Sequence, residues 1–207
     1  FTPDPMADIG KVFSLADEYG LPLDLHIDER DAANIDCFLR VIEKTKEHHM
    51  AGRVTCGHVT ALCAVDDELA HRAVMECAEA GVHIITLPSC NMYLMGRKDH
   101  QPIRRGVTRV DEFLKAGVNV SASSDNIRDP YRPFGNGDLL EEALFTAQVL
   151  QYGTRDQLAE VMRMVTSRPA KNMLLEGYGL AEGCKADLVL LDAPSAKEAI
   201  ISQPRKR

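Results

Sequence analysis

Four times along this chain a helical pattern stops at a glycine and a short apolar run begins within a few residues. The stops are Gly20, Gly52, Gly81 and Gly117. Glycine enters the left-handed backbone that closes a helix at little steric cost. The helical stretches span residues 4–19, 33–49, 66–80 and 109–116. In the first of them Ile9, Val12, Phe13 and Ala16 share one face. The apolar runs that follow span residues 21–27, 54–59, 82–87 and 118–123. Strands separated by whole helices pair parallel, because a short hairpin can join only antiparallel strands. The predicted class is therefore α/β with a parallel sheet, either open and doubly wound or closed into a barrel. No strand runs into a glycine-rich phosphate loop, so the dinucleotide-binding form of the open sheet has no support. Residues 89–108 read as a long polar loop. After the fourth strand the rhythm changes: residues 138–150 and 155–165 read as two helices, and 186–191 (ADLVLL) as a strand with no helix behind it.

Composition narrows the partners. The net charge of −7 argues against a nucleic-acid surface, since the only basic run is Arg205, Lys206 and Arg207 at one chain end. No apolar run is long enough to span a bilayer, and the opening residues lack the charged-then-apolar pattern of a signal peptide. The six cysteines, Cys37, Cys56, Cys63, Cys77, Cys90 and Cys184, include no C-x-x-C pair and lie among helix and strand residues. They read as buried small hydrophobes of a reduced, cytoplasmic protein, and not as a thiolate metal site.

In a parallel barrel the chemistry gathers at the C-terminal ends of the strands. The first strand ends on His26, with Asp28 and Glu29 just beyond; the second on His58; the third on Leu87, Pro88 and Ser89; the fourth on Asp125. Imidazole and carboxylate are good ligands for zinc or iron. A carboxylate beside a metal-held water can take its proton, and a second can protonate a ring nitrogen or a leaving amine. Together these groups describe hydrolysis of a C–N bond. The other histidines read differently. His48 and His49 sit near a helix C-terminus, His71 on a helix surface, His83 at the start of a strand and His100 in the long loop. Arg97, Arg104 and Arg105 either bind an anion or pair with acidic neighbours and fix their loop; the second is preferred.

The residues at these strand ends resemble the cytosine deaminase branch of the amidohydrolase superfamily. LDLHIDE (23–29) is similar to that family's fifth-strand motif and GHVTAL (57–62) to its sixth-strand histidine motif. The long loop from Asn91 to Val110 is similar to the loop after strand seven, and SSDNIRDPY (123–131) to the eighth-strand motif with its metal aspartate. TSRPAKNM (166–173) and GLAEGCKADLVLLD (179–192) resemble the ending where the chain leaves the barrel for a small β-sandwich. The resemblance implies the C-terminal half of a (β/α)8 TIM barrel over residues 1–178 and a return to a small β-sandwich over 179–207. It implies His26 and Asp125 as ligands of one divalent metal ion, zinc or iron. It implies Glu29 as the proton shuttle to the ring, His58 as the group that orients water or substrate, and Asp125 as base toward the water. The reaction so implied is deamination of a cytosine-like nitrogen heterocycle by metal-bound hydroxide, with release of ammonia.

Two positions depart from the pattern. Ser124 and Asn126 stand where the family commonly has a His before the metal aspartate and an Asp after it. Both are expected to touch substrate or the water around it, and an asparagine can donate where an aspartate cannot. The family's first-strand H-x-H pair is absent, and four strands are counted where a closed barrel needs eight. The chain is accordingly expected to be part of a longer polypeptide. The remainder of the barrel, or another copy of the chain as a homo-oligomer, would complete it. A small heterocyclic amine is the expected partner. An aminohydrolase acting on an N-alkylated aminotriazine, and a non-catalytic relative, remain as alternatives.

Overall fold

Each predicted helix stop closes a helix through left-handed backbone or a short turn, and the next strand then starts. The computed structural model describes residues 2–205; Phe1, Lys206 and Arg207, the last two in the basic run, lie outside the described residues. Helix α1 (Pro5–Tyr19) begins at Asp4, whose side chain accepts from the Ala7 N–H, and ends at Gly20 with φ 65°. Strand β1 (Leu23–Ile27) follows, then α2 (Asp36–Glu47), β2 (Val54–His58), a 3-10 turn at Thr60–Cys63 and α3 (Asp67–Ala80). Strand β3 (His83–Thr86) leads into α4 (Pro88–Leu94) and α5 (Val110–Lys115), and β4 (Val120–Ala122) into α6 (Leu139–Val149), α7 (Arg155–Met164), α8 (Ser167–Asn172) and α9 (Ala196–Ser202). Gly81, at the end of α3, has φ 70°, and a Cβ there would lie 3.1 Å from the Ala51 Cβ. Only glycine meets both conditions without strain.

The four strands form one parallel sheet in the order β1-β2-β3-β4. Cys56 pairs with Ile84, and Ile84 with Val120. All three are fully buried in the core that also contains Phe13, Phe38, Ile42, Val74 and Phe113. Phe38 and Phe113 meet edge to face, with ring centroids 6.1 Å apart. Because side chains alternate along a strand, the adjacent row His26, Gly57, Ile85 and Ser121 lies on the opposite face. Helices α2, α3 and α5 pack on the face of the apolar row; the other face carries His26 and Ser121, and Asn172 of α8 donates to the Ser121 hydroxyl at 2.8 Å.

Helix α2 starts later than its sequence pattern, at residue 36 instead of 33. Its N-cap, Ile35, offers no side-chain cap, and the carboxylate of Asp28 from the end of β1 accepts from the Phe38 N–H at 2.9 Å instead. The long loop is not wholly irregular, since its first residues form α4 with Pro88 in the first turn, where its missing N–H costs nothing. The strand expected over 186–191 does not form. Residues 186–190 join no ladder, Leu188, Val189 and Leu190 are 63, 68 and 69% exposed, and Leu191 makes an isolated bridge. The run has strand propensity, but among the described residues no strand lies beside it to take its N–H and C=O groups. Beyond it α9 packs back on α6 and α7 through the buried Ala199 and Ile200. Among the described residues no helix is long and apolar enough to cross a membrane.

Phe38→Ala removes an aromatic ring that is fully buried against the equally buried Phe113 between α2 and α5. It is expected to cost about 3–5 kcal/mol of stability. In urea unfolding this appears as a lower midpoint at unchanged slope.

Candidate active site

Parallel pairing brings the strand ends to one rim, and three of those ends turn through left-handed backbone without glycine. Asp28 has φ 47°, His58 69° and Asp125 59°, and Val59 follows His58 at 49°. Such conformations cost on the order of 1–3 kcal/mol each and persist only where surroundings hold them. The surroundings are visible at each end. Asp28 is buried, pairs with Arg30 at 2.8 Å and accepts from the Phe38 N–H. The Val59 N–H donates to the Ile27 carbonyl at 2.9 Å. These contacts swing His26, Glu29, His58 and Asp125 toward a common space.

The four side chains meet there. His26 Nδ1 lies 2.7 Å from His58 Nε2, and the same His58 nitrogen lies 3.6 Å from Asp125 Oδ2. On the other side of the ring, His58 Nδ1 lies 3.5 Å from Glu29 Oε1. One donor atom from each of His26, His58 and Asp125 lies within 4.8 Å of the others, as does one from each of Glu29, Cys90 and Asp125. An imidazole nitrogen of His26 and a carboxylate oxygen of Asp125 are donors that suit zinc or iron, and His58 adjoins both. A cavity of about 500 Å3 borders His26 and Glu29 and is lined on its apolar side by Ile9, Val12 and Leu25.

Burial sets the protonation of this cluster. His58 is fully buried, and desolvation, joined by the nearby His26, lowers its pKa to about 4 against the opposing pull of Asp125. Its ring is therefore neutral at pH 7. Burial raises the Glu29 carboxyl above its ordinary value, and the negative charge of Asp125 adds to the rise. A carboxyl so placed keeps its proton more readily than a solvated glutamate. Burial also pushes the Cys90 thiol up to about 12, so it stays protonated.

Ser124 and Asn126 flank Asp125, but their polar groups are partly engaged. The Ser124 hydroxyl is directed to the Asp125 carbonyl at 3.4 Å. The Asn126 amide donates to Asp129, and its Oδ1 accepts from the Cys90 thiol at 3.7 Å. Asn91 was not singled out by the sequence pattern, yet its Nδ2 lies 3.0 Å from His58 Nδ1 and 3.4 Å from Glu29 Oε1. The only available signal was its position just past the end of β3. Glu142 was also missed: acidic residues in a first helical turn usually face water, whereas this one is buried beside Ser89 and Arg132.

The remaining histidines stay away from the cluster. His48 caps α2, with Nδ1 3.2 Å from Asp17; His83 contacts the Gly52 carbonyl; His71 and His100 are exposed. The loop arginines fix their own segment. Arg104 pairs with Asp99 at 2.6 Å, Arg105 donates to the Val149 carbonyl at 2.9 Å, and Arg97 lies over the Tyr93 ring at 4.6 Å.

Comparison with known proteins agrees with this geometry. Residues 2–206 match the family model described as "Amidohydrolase family". The chain is 34% identical over 205 residues to a pterin deaminase of Rhizobium rhizogenes, covering 98% of this chain and 46% of that protein. It is 33% identical over 195 residues to the N-isopropylammelide isopropyl amidohydrolase of Pseudomonas sp., covering 94% of this chain and 45% of that protein. It superposes on the 5-methylcytosine deaminase of Klebsiella pneumoniae, solved with 5-fluorocytosine, at a TM-score of 0.93 and 33% identity, covering 97% of this chain and 49% of that one. The chain spans about half the length of the curated relatives it matches, and its parallel sheet is part of a TIM barrel. On the match over nearly its whole length, the chain belongs to the amidohydrolase family.

Proposed function

We propose that this chain carries the acid–base half of a metal-dependent site that hydrolyses an exocyclic C–N bond on a small nitrogen heterocycle and releases ammonia. The observation that carries the reading is the convergence of His26, His58 and Asp125 within 4.8 Å, with Glu29 at 3.5 Å from the same imidazole. The relatives named for a pterin, an isopropylammelide and 5-methylcytosine support a ring amine as substrate class. A cytosine-like ring is the preferred substrate. The division into barrel units over 1–178 and a return toward a small sandwich over 179–207 belongs to the same proposal.

His26 and Asp125 would hold a divalent ion, zinc or iron, together with ligands from elsewhere in the protein. Such an ion supplies Lewis acidity and makes a water nucleophilic at neutral pH. Asp125 accepts the proton of the attacking water. His58, neutral and buried, directs the water or the substrate through a hydrogen bond. Attack on the amine-bearing carbon pushes negative charge onto the adjacent ring nitrogen. Glu29, whose raised pKa lets it hold a proton near that nitrogen, delivers it there and so removes the charge. The Glu29 carboxylate then carries the water's first proton from Asp125 to the departing ammonia; as the C–N bond breaks and the ring carbonyl forms, the remaining hydroxyl proton moves through Asp125 to Glu29 and restores its acid form.

Metal analysis beside ammonia release, with cytosine, isocytosine, isoguanine, pterin and aminotriazines as substrates, tests this reading. Glu29→Gln is expected to keep the parent's metal content and lower kcat by about two to four orders of magnitude. Asp125→Asn should lose both metal affinity and rate, and His58→Asn should keep metal and slow turnover. A Glu29→Gln enzyme that releases ammonia at the parent rate would falsify the proton-transfer step.

The imidazole of His58 also makes a pH prediction. Its pKa in the folded chain, about 4, is below its ordinary value of 6.5, so the unfolded chain binds this proton first. The associated stability is fully present above pH 6.5 and is lost as pH falls toward 4. In the metal-free protein, His58→Asn should flatten that portion of the stability–pH curve. An NMR titration should place the parent's His58 midpoint near pH 4.

A further inference from the structure

A buried ion pair lies behind Asp125. Arg132 comes from the irregular segment between β4 and α6, and Glu142 from the first turn of α6. Both side chains are 3% exposed, and Arg132 Nη2 lies 3.6 Å from Glu142 Oε1. The Ser89 hydroxyl at the start of α4 donates to the Glu142 carboxylate, its Oγ 2.7 and 2.6 Å from the two oxygens. On its other side Arg132 Nη1 donates to two backbone carbonyls, Ser124 at 3.1 Å and Asn126 at 2.8 Å. Those carbonyls belong to the residues on either side of Asp125.

The arrangement has a specific mechanical meaning. Asp125 is a non-glycine residue at φ 59°, a conformation that relaxes unless its flanking peptides are restrained. One guanidinium nitrogen holds the carbonyl of the peptide just before Asp125 and that of the peptide just after Asn126, so the segment is fixed on both sides of Asp125. Glu142 neutralises the guanidinium, and Ser89 ties Glu142 to the end of β3. The Asp129 carboxylate accepts from the Tyr131 and Arg132 N–H groups at 2.9 Å each and from the Asn126 amide, closing the loop around the same point. The backbone at Gly135 seals the guanidinium: a Cβ there would sit 2.8 Å from Arg132 Nη1. Burying a charged pair gains little stability over apolar side chains of the same size. An apolar pair, however, could not donate to two carbonyls.

We propose that Arg132, backed by Glu142 and Ser89, is a positioning residue that holds Asp125 in its left-handed conformation and aims its carboxylate at His26 and His58. The proposal deepens the functional reading above and rests on it for the role of Asp125.

Two measurements on the purified protein test it. The first is hydrogen exchange, in metal-free protein, of the Arg128 and Asp129 amides, which donate to the Phe134 and Arg132 carbonyls in the loop beyond Asp125. Arg132→Met should speed their exchange by on the order of ten-fold or more while β1 and β2 amides are unchanged. The second is zinc affinity by chelator competition. Arg132→Met should weaken it by about 10–100-fold, and Glu142→Gln by less. The double variant Arg132→Met/Asp125→Asn should bind zinc no more weakly than Asp125→Asn alone, because Arg132 acts through Asp125. Should Arg132→Met fail to fold, Glu142→Gln and Ser89→Ala carry the exchange test. Unchanged exchange at Arg128 and Asp129 in a folded variant overturns the clamp, as do zinc-affinity losses that add in full in the double variant. A parent that binds no zinc and releases no ammonia, while Arg132→Met still accelerates exchange, would sink the metal-dependent reading and leave the clamp standing.

Discussion

Parallel pairing in sequence order is the constraint on which the other features depend. With β1 to β4 side by side and running the same way, every strand delivers its last residue to the same rim. The register then fixes which residues are level: Ile27 stands opposite His58, and His26 opposite Gly57. A slip of one residue would move each side chain to the other face. His26 would then point into the apolar layer beneath the helices, and Cys56 and Ile84 would leave it. The burial of the row Cys56, Ile84 and Val120 therefore holds the chemistry in place as well as the fold.

The rim gathers an exposed His26, a buried His58 and the partly buried Glu29 and Asp125, and their electrostatics are coupled. Desolvation raises Glu29 and lowers His58, so both are shifted toward their uncharged forms. Asp125 acts on both from one position, adding to the rise of Glu29 and partly offsetting the fall of His58. Two carboxyls with different environments can play different parts in one reaction, one holding a proton while the other accepts one.

Much of this was legible in the sequence, and the reasons differ by element. Glycine stops and apolar runs marked all four strands because backbone conformation and burial act locally. The strand-end rule found His26, Glu29, His58 and Asp125 because parallel topology alone places them together. The start of α2 was misjudged because its cap, Asp28, comes from another element. Helix α4 was hidden in a polar loop whose helical residues number only seven. Glu142 and Arg132 look like solvated surface charges, and only tertiary packing reveals that both are buried. The run at 186–191 has the apolar character of a strand, but strand formation depends on a neighbour that its own residues do not specify.

Asn91 carries one more consequence. Its side-chain nitrogen reaches both Glu29 and His58 Nδ1. The amide nitrogen, which can only donate, is the atom that faces both partners. His58 Nδ1 then receives a hydrogen bond and carries no hydrogen of its own. In the neutral imidazole the hydrogen must reside on Nε2, the nitrogen that faces His26 and Asp125. This choice of tautomer makes His58 a donor toward the centre of the site. A nitrogen that bears hydrogen has no lone pair for a cation, so on the proposed reading Asn91, from a helix hidden in the loop pattern, leaves metal binding to His26 and gives His58 the directing hydrogen bond.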